Sequence, residues 1–443
     1  MTSLIQTTKR VRMILSFFCG MLFAGSIAIH GLMDGYNPIL KTSNKRYDAQ
    51  IVKRSNAYSI YRFGPYFTSS STRTAGSNGN KYPNDYVRVM QTKTTKTGTY
   101  AKLRYFNQNI GWMNVKGLKP VSFSQIATAT MKQYDVSGSA ILASAGSKHT
   151  VTVNNGFANA AKKTANSSDG TVLYPLASLQ KVMTGAIIQQ LISSGNLSAG
   201  TKLSRYYPQV KGSSNITIQQ MLSMSSGLDN NDMTPAKVMT ENQAYTSMLK
   251  RLESTGKMTY DYSDVNYVLL AGIIAKATKQ SYVSNLKTRI INKLGMKNTK
   301  VVDSNNIDTS SIALSYSRKA TTDYTSSQSV SLPRLSAILG AGNMLTTPSD
   351  YYKFILGLQN GSVLTAKQYQ QLLSYGTVYS GGMYVTQNGV KYDNGSFGGQ
   401  GYHSGYFATT GNYHMAIVFE NQDPLGLTPK DFVKKMYQVA TYY

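Results

Sequence analysis

Cysteine is nearly missing from this 443-residue chain. Cys19 stands alone, so no disulfide can close within the chain and no cysteine cluster can hold a metal. Its place in an N-terminal apolar run also excludes a catalytic thiol. Histidine is scarce too: His30, His149, His403 and His414 are widely spaced, and no His-Glu-x-x-His pattern occurs. Acidic residues number 19 against 46 Lys plus Arg, a net charge of +27, yet only 15% of residues are charged. Ordinary soluble domains carry roughly 25%. The surface is therefore built from Ser, Thr, Asn, Gly and the 33 Tyr. These shortages exclude a coiled coil, a collagen-like repeat and a disulfide scaffold. The length suits roughly two to three domains and a large core.

The N-terminus carries the one long hydrophobic run. Lys9, Arg10 and Arg12 precede apolar residues from Met13 to Ile29. The run exceeds a signal h-region of about 7–15 residues and, extended through Met33, reaches the ~20 of a spanning helix. Ser26-Ile27-Ala28 offers a cleavage site. Residues 1–33 therefore read as a signal peptide or a signal anchor forming an apolar helix, and the basic flank places the remainder outside the cell on either reading. Phe18 before Cys19 argues against a lipoprotein. Positive charge is densest early: residues 1–121 hold 18 Lys/Arg and 3 Asp/Glu. An exported basic protein meets anionic wall polymers and lipid headgroups, and no nucleic-acid-binding signature is present.

Short β-forming runs follow, at Ala57–Tyr61, Asp85–Val89, Tyr100–Tyr105 and Ile110–Val115, separated by turn residues. The Gly111-Trp112 dipeptide and the basic Leu118-Lys119-Pro120 end resemble a GW-type SH3-like wall-binding module over residues 45–121. Trp112 is expected in the core of that small all-β barrel. From residue 122 to 443, longer helical patterns interleave with strands. Val136–Ala143 and His149–Val153 read as paired strands. Ser178–Ser194 reads as a helix ended by Gly195, with further helices over Val268–Lys279 and Tyr282–Leu294. Gly411-Asn412 marks a two-residue hairpin turn, and Thr428 caps a last helix with Pro429 at its first position. Strands at both ends with helices between them indicate one α+β domain whose sheet both ends complete.

A hydroxyl and an amine three residues apart on a helix share one face, so the amine can take the proton of an attacking hydroxyl. That spacing occurs at Ser178/Lys181, Ser247/Lys250, Ser254/Lys257 and Ser284/Lys287. Only Ser178 opens a long helix directly after a strand-like Val172-Leu173-Tyr174.

The run Leu176–Gly185 around Ser178 resembles the nucleophile motif of the serine β-lactamase and penicillin-binding-protein family. Four further segments follow in that family's order: Ile216–Leu222 into Ser225-Ser226-Gly227-Leu228; Tyr262-Ser263-Asp264; Leu294-Gly295-Met296 with Asn298-Thr299; and His403-Ser404-Gly405. The resemblance implies an antiparallel sheet flanked by helices. Asp264 stands where Asn is commoner, and His403 replaces a Lys, a weaker cation at neutral pH. A literal Lys96-Thr97-Gly98 lies upstream of Ser178 and is a decoy.

The resemblance also implies roles. Ser178 is the acylated nucleophile, Lys181 keeps its hydroxyl deprotonatable, and Tyr262, its pKa lowered by Lys181, shuttles the proton. The backbone N–H groups of Ser178 and Tyr406 form the oxyanion hole, while Asp264, His403, Ser404 and Gly405 hold substrate. No metal or cofactor is implied. The expected activity is an exported cell-wall serine hydrolase of D-alanyl bonds, either a D,D-carboxypeptidase or a teichoic-acid D-alanyl esterase. A β-lactamase and a catalytically silent wall-binding protein are the alternatives. The expected partners are peptidoglycan or teichoic acid, and the membrane where the N-terminal segment is retained. The oligomeric state is left open.

Overall fold

The computed structural model describes residues 38–52, 58–62, 75–82, 84–106, 108–304, 307–318, 323–397, 399 and 401–441. The N-terminal apolar run lies outside them. No helix among the described residues is long and apolar enough to cross a membrane. The described chain divides into two compact units at Ser122/Phe123.

The first unit is all-β. Its strands are β1 (Ile39–Ser43), β2 (Tyr47–Ile51), β3 (Ser59–Tyr61), β4 (Ala75–Asn78), β5 (Tyr86–Thr95), β6 (Gly98–Tyr105), β7 (Gln108–Asn114) and β8 (Leu118–Val121). They form one antiparallel sheet in the order β4-β3-β7-β6-β5-β2-β8, with β1 also on β5. Alternation sends Val87, Val89, Ala101, Leu103 and Met113 into a small core. Trp112 is buried as expected, at 6% exposure, with the Lys93 ammonium 4.8 Å above its ring. The decoy Lys96-Thr97 is simply the turn joining β5 to β6.

The second unit is α+β. Helix α1 (Phe123–Gln133) leads into β9 (Ser137–Ser144) and β10 (His149–Asn155), followed by the largely helical centre with α2 (Lys181–Ser193) and α3 (Val265–Thr278). The sheet is completed by β11 (Tyr379–Ser380), β12 (Met383–Val385), β13 (Val390–Phe397), β14 (Tyr402–Thr409) and β15 (Met415–Gln422), and α4 (Pro429–Ala440) closes the unit. The strand order is β10-β9-β15-β14-β13-β12-β11, antiparallel throughout, so strands from the two ends of the unit pair at β9/β15. Helices α2 and α3 are apolar almost all round and lie buried in the main core, as all-round hydrophobicity requires. They anchor the segments described next. Thr428 caps α4 as expected, its hydroxyl accepting from the Asp431 N–H at 3.1 Å.

Two local expectations need correction. The β14–β15 connection is longer than a two-residue turn: the Thr409 hydroxyl accepts the N–H groups of Tyr413 and His414 and holds a wider loop. Ser178 is not within a regular α-helix but in a 3₁₀ turn, Ala177–Gln180, that runs into α2.

Candidate active site

The turn that carries Ser178 is strained. Ala177 adopts φ +47°, a left-handed conformation costly for a residue with a Cβ. Two bonds on the preceding Leu176 hold it there, since the Leu176 N–H donates to the Met344 carbonyl and the Ser404 hydroxyl donates to the Leu176 carbonyl at 2.7 Å. The turn leaves Ser178 half-buried and reachable at the head of a rigid helix.

Lys181, one turn on, is fully buried. Its Nζ donates to Ser178 Oγ at 2.9 Å and to the Ala341 carbonyl at 2.9 Å, and lies 2.7 Å from the Asp264 carboxylate. Two of the ammonium's protons go to the Ser178 and Ala341 oxygens, and Asp264 faces it as an ion pair. A buried amine needs such a partner, and Asp264 supplies the charge. Asp264 occupies the N-cap position of α3 but makes no capping bond, its carboxylate turning to Lys181 instead.

Tyr262 approaches from the other side, its hydroxyl donating to Ser178 Oγ at 2.8 Å with Lys181 Nζ 5.0 Å from its ring. The residue remains 36% exposed, so its ring edge faces the space a substrate would enter. Its segment is pinned by Asn230, whose side-chain oxygen accepts from the Ser263 hydroxyl and the Val265 N–H. The Ser225–Leu228 motif and the preceding Met224 brace it, the Ser226 hydroxyl donating to the Asn266 side chain and the Met224 carbonyl accepting the Asp261 N–H. The expected lowering of the Tyr262 pKa is not found. Burial of the phenol, then the charges of Asp264 and Asp393, push it well above its ordinary value against the hydrogen bond with Ser178. Tyr262 is thus a protonated donor in the resting state.

The third element differs from the sequence reading. The strand beside the nucleophile turn is β13, not β14. Gly395 on β13 sits so close that a Cβ there would lie 2.9 Å from both the Ala177 Cβ and the Leu176 carbonyl. The triplet facing Ser178 is therefore Asp393-Asn394-Gly395. His403 lies on β14 in register with Ser396 and Glu420, its Nε2 2.7 Å from the Asp423 carboxylate. Gly405 packs against Val433 of α4. The Tyr406 N–H cannot serve an oxyanion: the residue is paired between Asp393 and Ile417 inside the sheet, and its ring is buried beside Tyr351. Of that group only Ser404 touches the nucleophile turn. By contrast, β12 covers only Lys391 and Tyr392 of β13, so from Asp393 onward that edge has no strand partner among the described residues.

Asp393 is fully buried, and burial raises its pKa to about 7, opposed mainly by the charge of Lys181. One oxygen accepts the Asn394 N–H at 2.9 Å. The cluster thus joins Ser178, Lys181, Tyr262 and Asp264, as the sequence indicated, with Asp393, which it did not. Both triplets end in Gly and lie on neighbouring strands; their order in the sheet, unreadable from sequence, decides which one meets the serine. No group of three metal-ligating side chains occurs among the described residues.

Residues 123–428 match the Beta-lactamase family, and residues 41–119 match the GW (Gly-Tryp) dipeptide domain. PbpX of Bacillus subtilis (strain 168), provisionally named a penicillin-binding protein, is 26% identical over 320 residues, covering 69% of this chain and 75% of its own. Teichoic acid D-alanine hydrolase of Staphylococcus aureus (strain MRSA252) is 27% identical over 234 residues, 51% of this chain. The chain spans only 57% of that relative's length. Among solved structures, FmtA from Staphylococcus aureus superposes with a TM-score of 0.62 at 21% identity, covering 72% of this chain and 87% of that one. D-amino acid amidase from Ochrobactrum anthropi SV3 gives 0.60 at 20%, covering 72% and 95%. These two likenesses establish the fold.

Proposed function

From Phe123 to Thr428 the chain belongs to the β-lactamase family, and on that premise we propose that it is an exported serine hydrolase that removes D-alanyl esters from a cell-wall polymer. The observation that carries the reading is the acid at the third element. A carboxypeptidase must receive a substrate carboxylate beside the scissile bond, which calls for a cation there. Here the triplet beside the nucleophile turn, Asp393-Asn394-Gly395, carries a buried acid and no Lys or Arg, while Lys181 is committed to Asp264. With no cation in that triplet to receive a carboxylate, the site suits a D-alanyl ester, whose free end is an amine rather than a carboxylate. The teichoic acid hydrolase relative supports the same substrate.

In this reading Ser178 Oγ bonds to the acyl carbon and the ester oxygen leaves. Tyr262, protonated at rest, gives its proton to the departing alkoxide while the serine proton passes to Tyr262, directly or through Lys181. The net result is one proton moved from serine to alcohol. The carbonyl oxygen is held by the Ser178 N–H and an N–H on the open edge of β13, at Ser396. Water then adds to the acyl carbon by the reverse relay, returning a proton to Ser178 and freeing D-alanine. The GW match supports retention at the wall through the basic first unit, with residues 1–33 as signal or anchor.

The test is D-alanine release from D-alanylated teichoic acid, from a stem peptide ending in D-alanyl-D-alanine, and hydrolysis of a β-lactam. The ester should turn over fastest, and Ser178→Ala should abolish release. Faster peptide or β-lactam turnover, or release by the variant, would refute the reading.

A further inference from the structure

Behind Asp264 the active-site cluster opens into a cavity of about 250 Å³ whose walls include Asn230, Asp232, Arg251, Asp264, Arg334 and Ser396. This small cavity carries two guanidinium groups, while Asp264 on its wall is already paired with Lys181. Arg251 ends the helix Glu241–Arg251. Its Nη1 donates to the Asn231 carbonyl, but its Nε and Nη2 are buried with no hydrogen-bond partner. Arg334 lies over the Phe397 ring at 5.0 Å, with Nη2 3.7 Å from the carboxylate of Asp232. The Asp232 side chain is itself 81% exposed. Buried guanidinium protons left unmatched are costly, and the cheapest remedy is an anion carrying two or more acceptor oxygens.

We propose that Arg251 and Arg334 form a subsite for the phosphodiester of a polyol-phosphate substrate, adjoining the acylating serine. The inference rests on the D-alanyl ester reading and deepens it, giving the substrate class of that site. Position favours phosphate over a peptide carboxylate. The terminal carboxylate of a D-alanyl-D-alanine stem sits next to the scissile bond, where Asp393 stands. Arg251 and Arg334 instead line the cavity that Asp264 and Ser396 share. A phosphodiester of a polyol chain can enter that cavity while its D-alanyl ester lies at the serine. Arg also presents its donors as a rigid fork that matches phosphate oxygens.

The experiment compares kcat/KM for a D-alanylated glycerol-phosphate diester and phosphate-free D-alanyl glycerol, which carry the same amine. The wild-type chain should prefer the phosphate ester, and that preference should fall by about tenfold or more in Arg251→Gln and in Arg334→Gln. Arg251→Lys should retain an intermediate preference, an outcome a purely structural role would not give. A wild-type ratio near one, or a ratio unchanged in both variants, overturns the subsite. If the variants instead lose turnover only of D-alanyl-D-lactate, the pocket reads a carboxylate and the proposal is equally overturned. Calorimetric titration of a glycerol-phosphate oligomer into the Ser178→Ala protein tests the subsite separately. Binding that Arg251→Gln weakens supports it even where no ester turns over, whereas absent turnover with binding intact contradicts only the esterase reading.

Discussion

Burial lifts the Asp393 carboxyl to a pKa of about 7, from an ordinary value near 3.8, and the Lys181 charge only partly opposes it. A raised carboxyl pKa means the native state favours the proton. Its contribution to stability is therefore fully present below about pH 4 and lost as pH rises toward 7. Burial lowers Lys391, two residues away, to about 7, so its linkage runs from there up to its ordinary value near 10.5 and leaves the acidic window untouched. Asp393→Asn should consequently gain stability relative to the parent as pH climbs from 4 to 7, by roughly 2–4 kcal/mol at most. Denaturant midpoints at pH 4.5 and 7.5 measure it, and a pH-independent difference would contradict the burial argument. At this scale the sequence was partly legible. Ser178, Lys181, Tyr262 and Asp264 are readable because each sits in a local motif fixed by helix or loop spacing. Asp393 is not, since its role depends on which strand edges the sheet, and the direction of the Tyr262 shift follows first from burial of the phenol and then from the charges of Asp264 and Asp393, which only the fold brings together.

Strand β13 and the Ala177–Gln180 turn form one mechanical unit, because their backbones meet at Gly395. Gly395→Ala would drive a methyl into Ala177 and the Leu176 carbonyl, displacing the serine. A displacement on the order of 1 Å costs roughly 10²-fold in rate, so acylation should fall at least that far while the circular dichroism spectrum is kept. Gly411→Ala is the matched control: it has ordinary φ and nothing within 4 Å of the added Cβ. Equal rates in the two variants would show that β13 does not set the serine's position. The β9/β10 pair, the last helix and the closure of the sheet by both ends of the unit follow from alternation, capping and element order. The wider β14–β15 loop escaped because the Thr409 hydroxyl, not the Gly-Asn pair, organises it.

For the whole molecule, charge asymmetry is the most informative sequence property. Residues 1–121 carry 18 basic and 3 acidic side chains, and the GW match falls within them. A polyphosphate bound by Lys and Arg releases counterions, so binding of the intact chain to walls should fall steeply between low and physiological salt. Deleting residues 41–119 should weaken wall binding and leave turnover of a small soluble ester unchanged. Salt-insensitive binding, or undiminished binding to walls stripped of teichoic acid, would instead point to recognition of peptidoglycan by shape.

The central claim, acylation of Ser178 within the Lys181–Tyr262–Asp264 cluster by a D-alanyl ester, is tested most directly by intact-mass spectrometry of the chain quenched during turnover of D-alanylated teichoic acid. The account predicts a mass increase of one D-alanyl group, located on the peptide containing Ser178 and absent from Ser178→Ala. Undiminished labelling of that variant, or D-alanine release by the parent chain through a route that leaves Ser178 unmodified at every quench time, would contradict it.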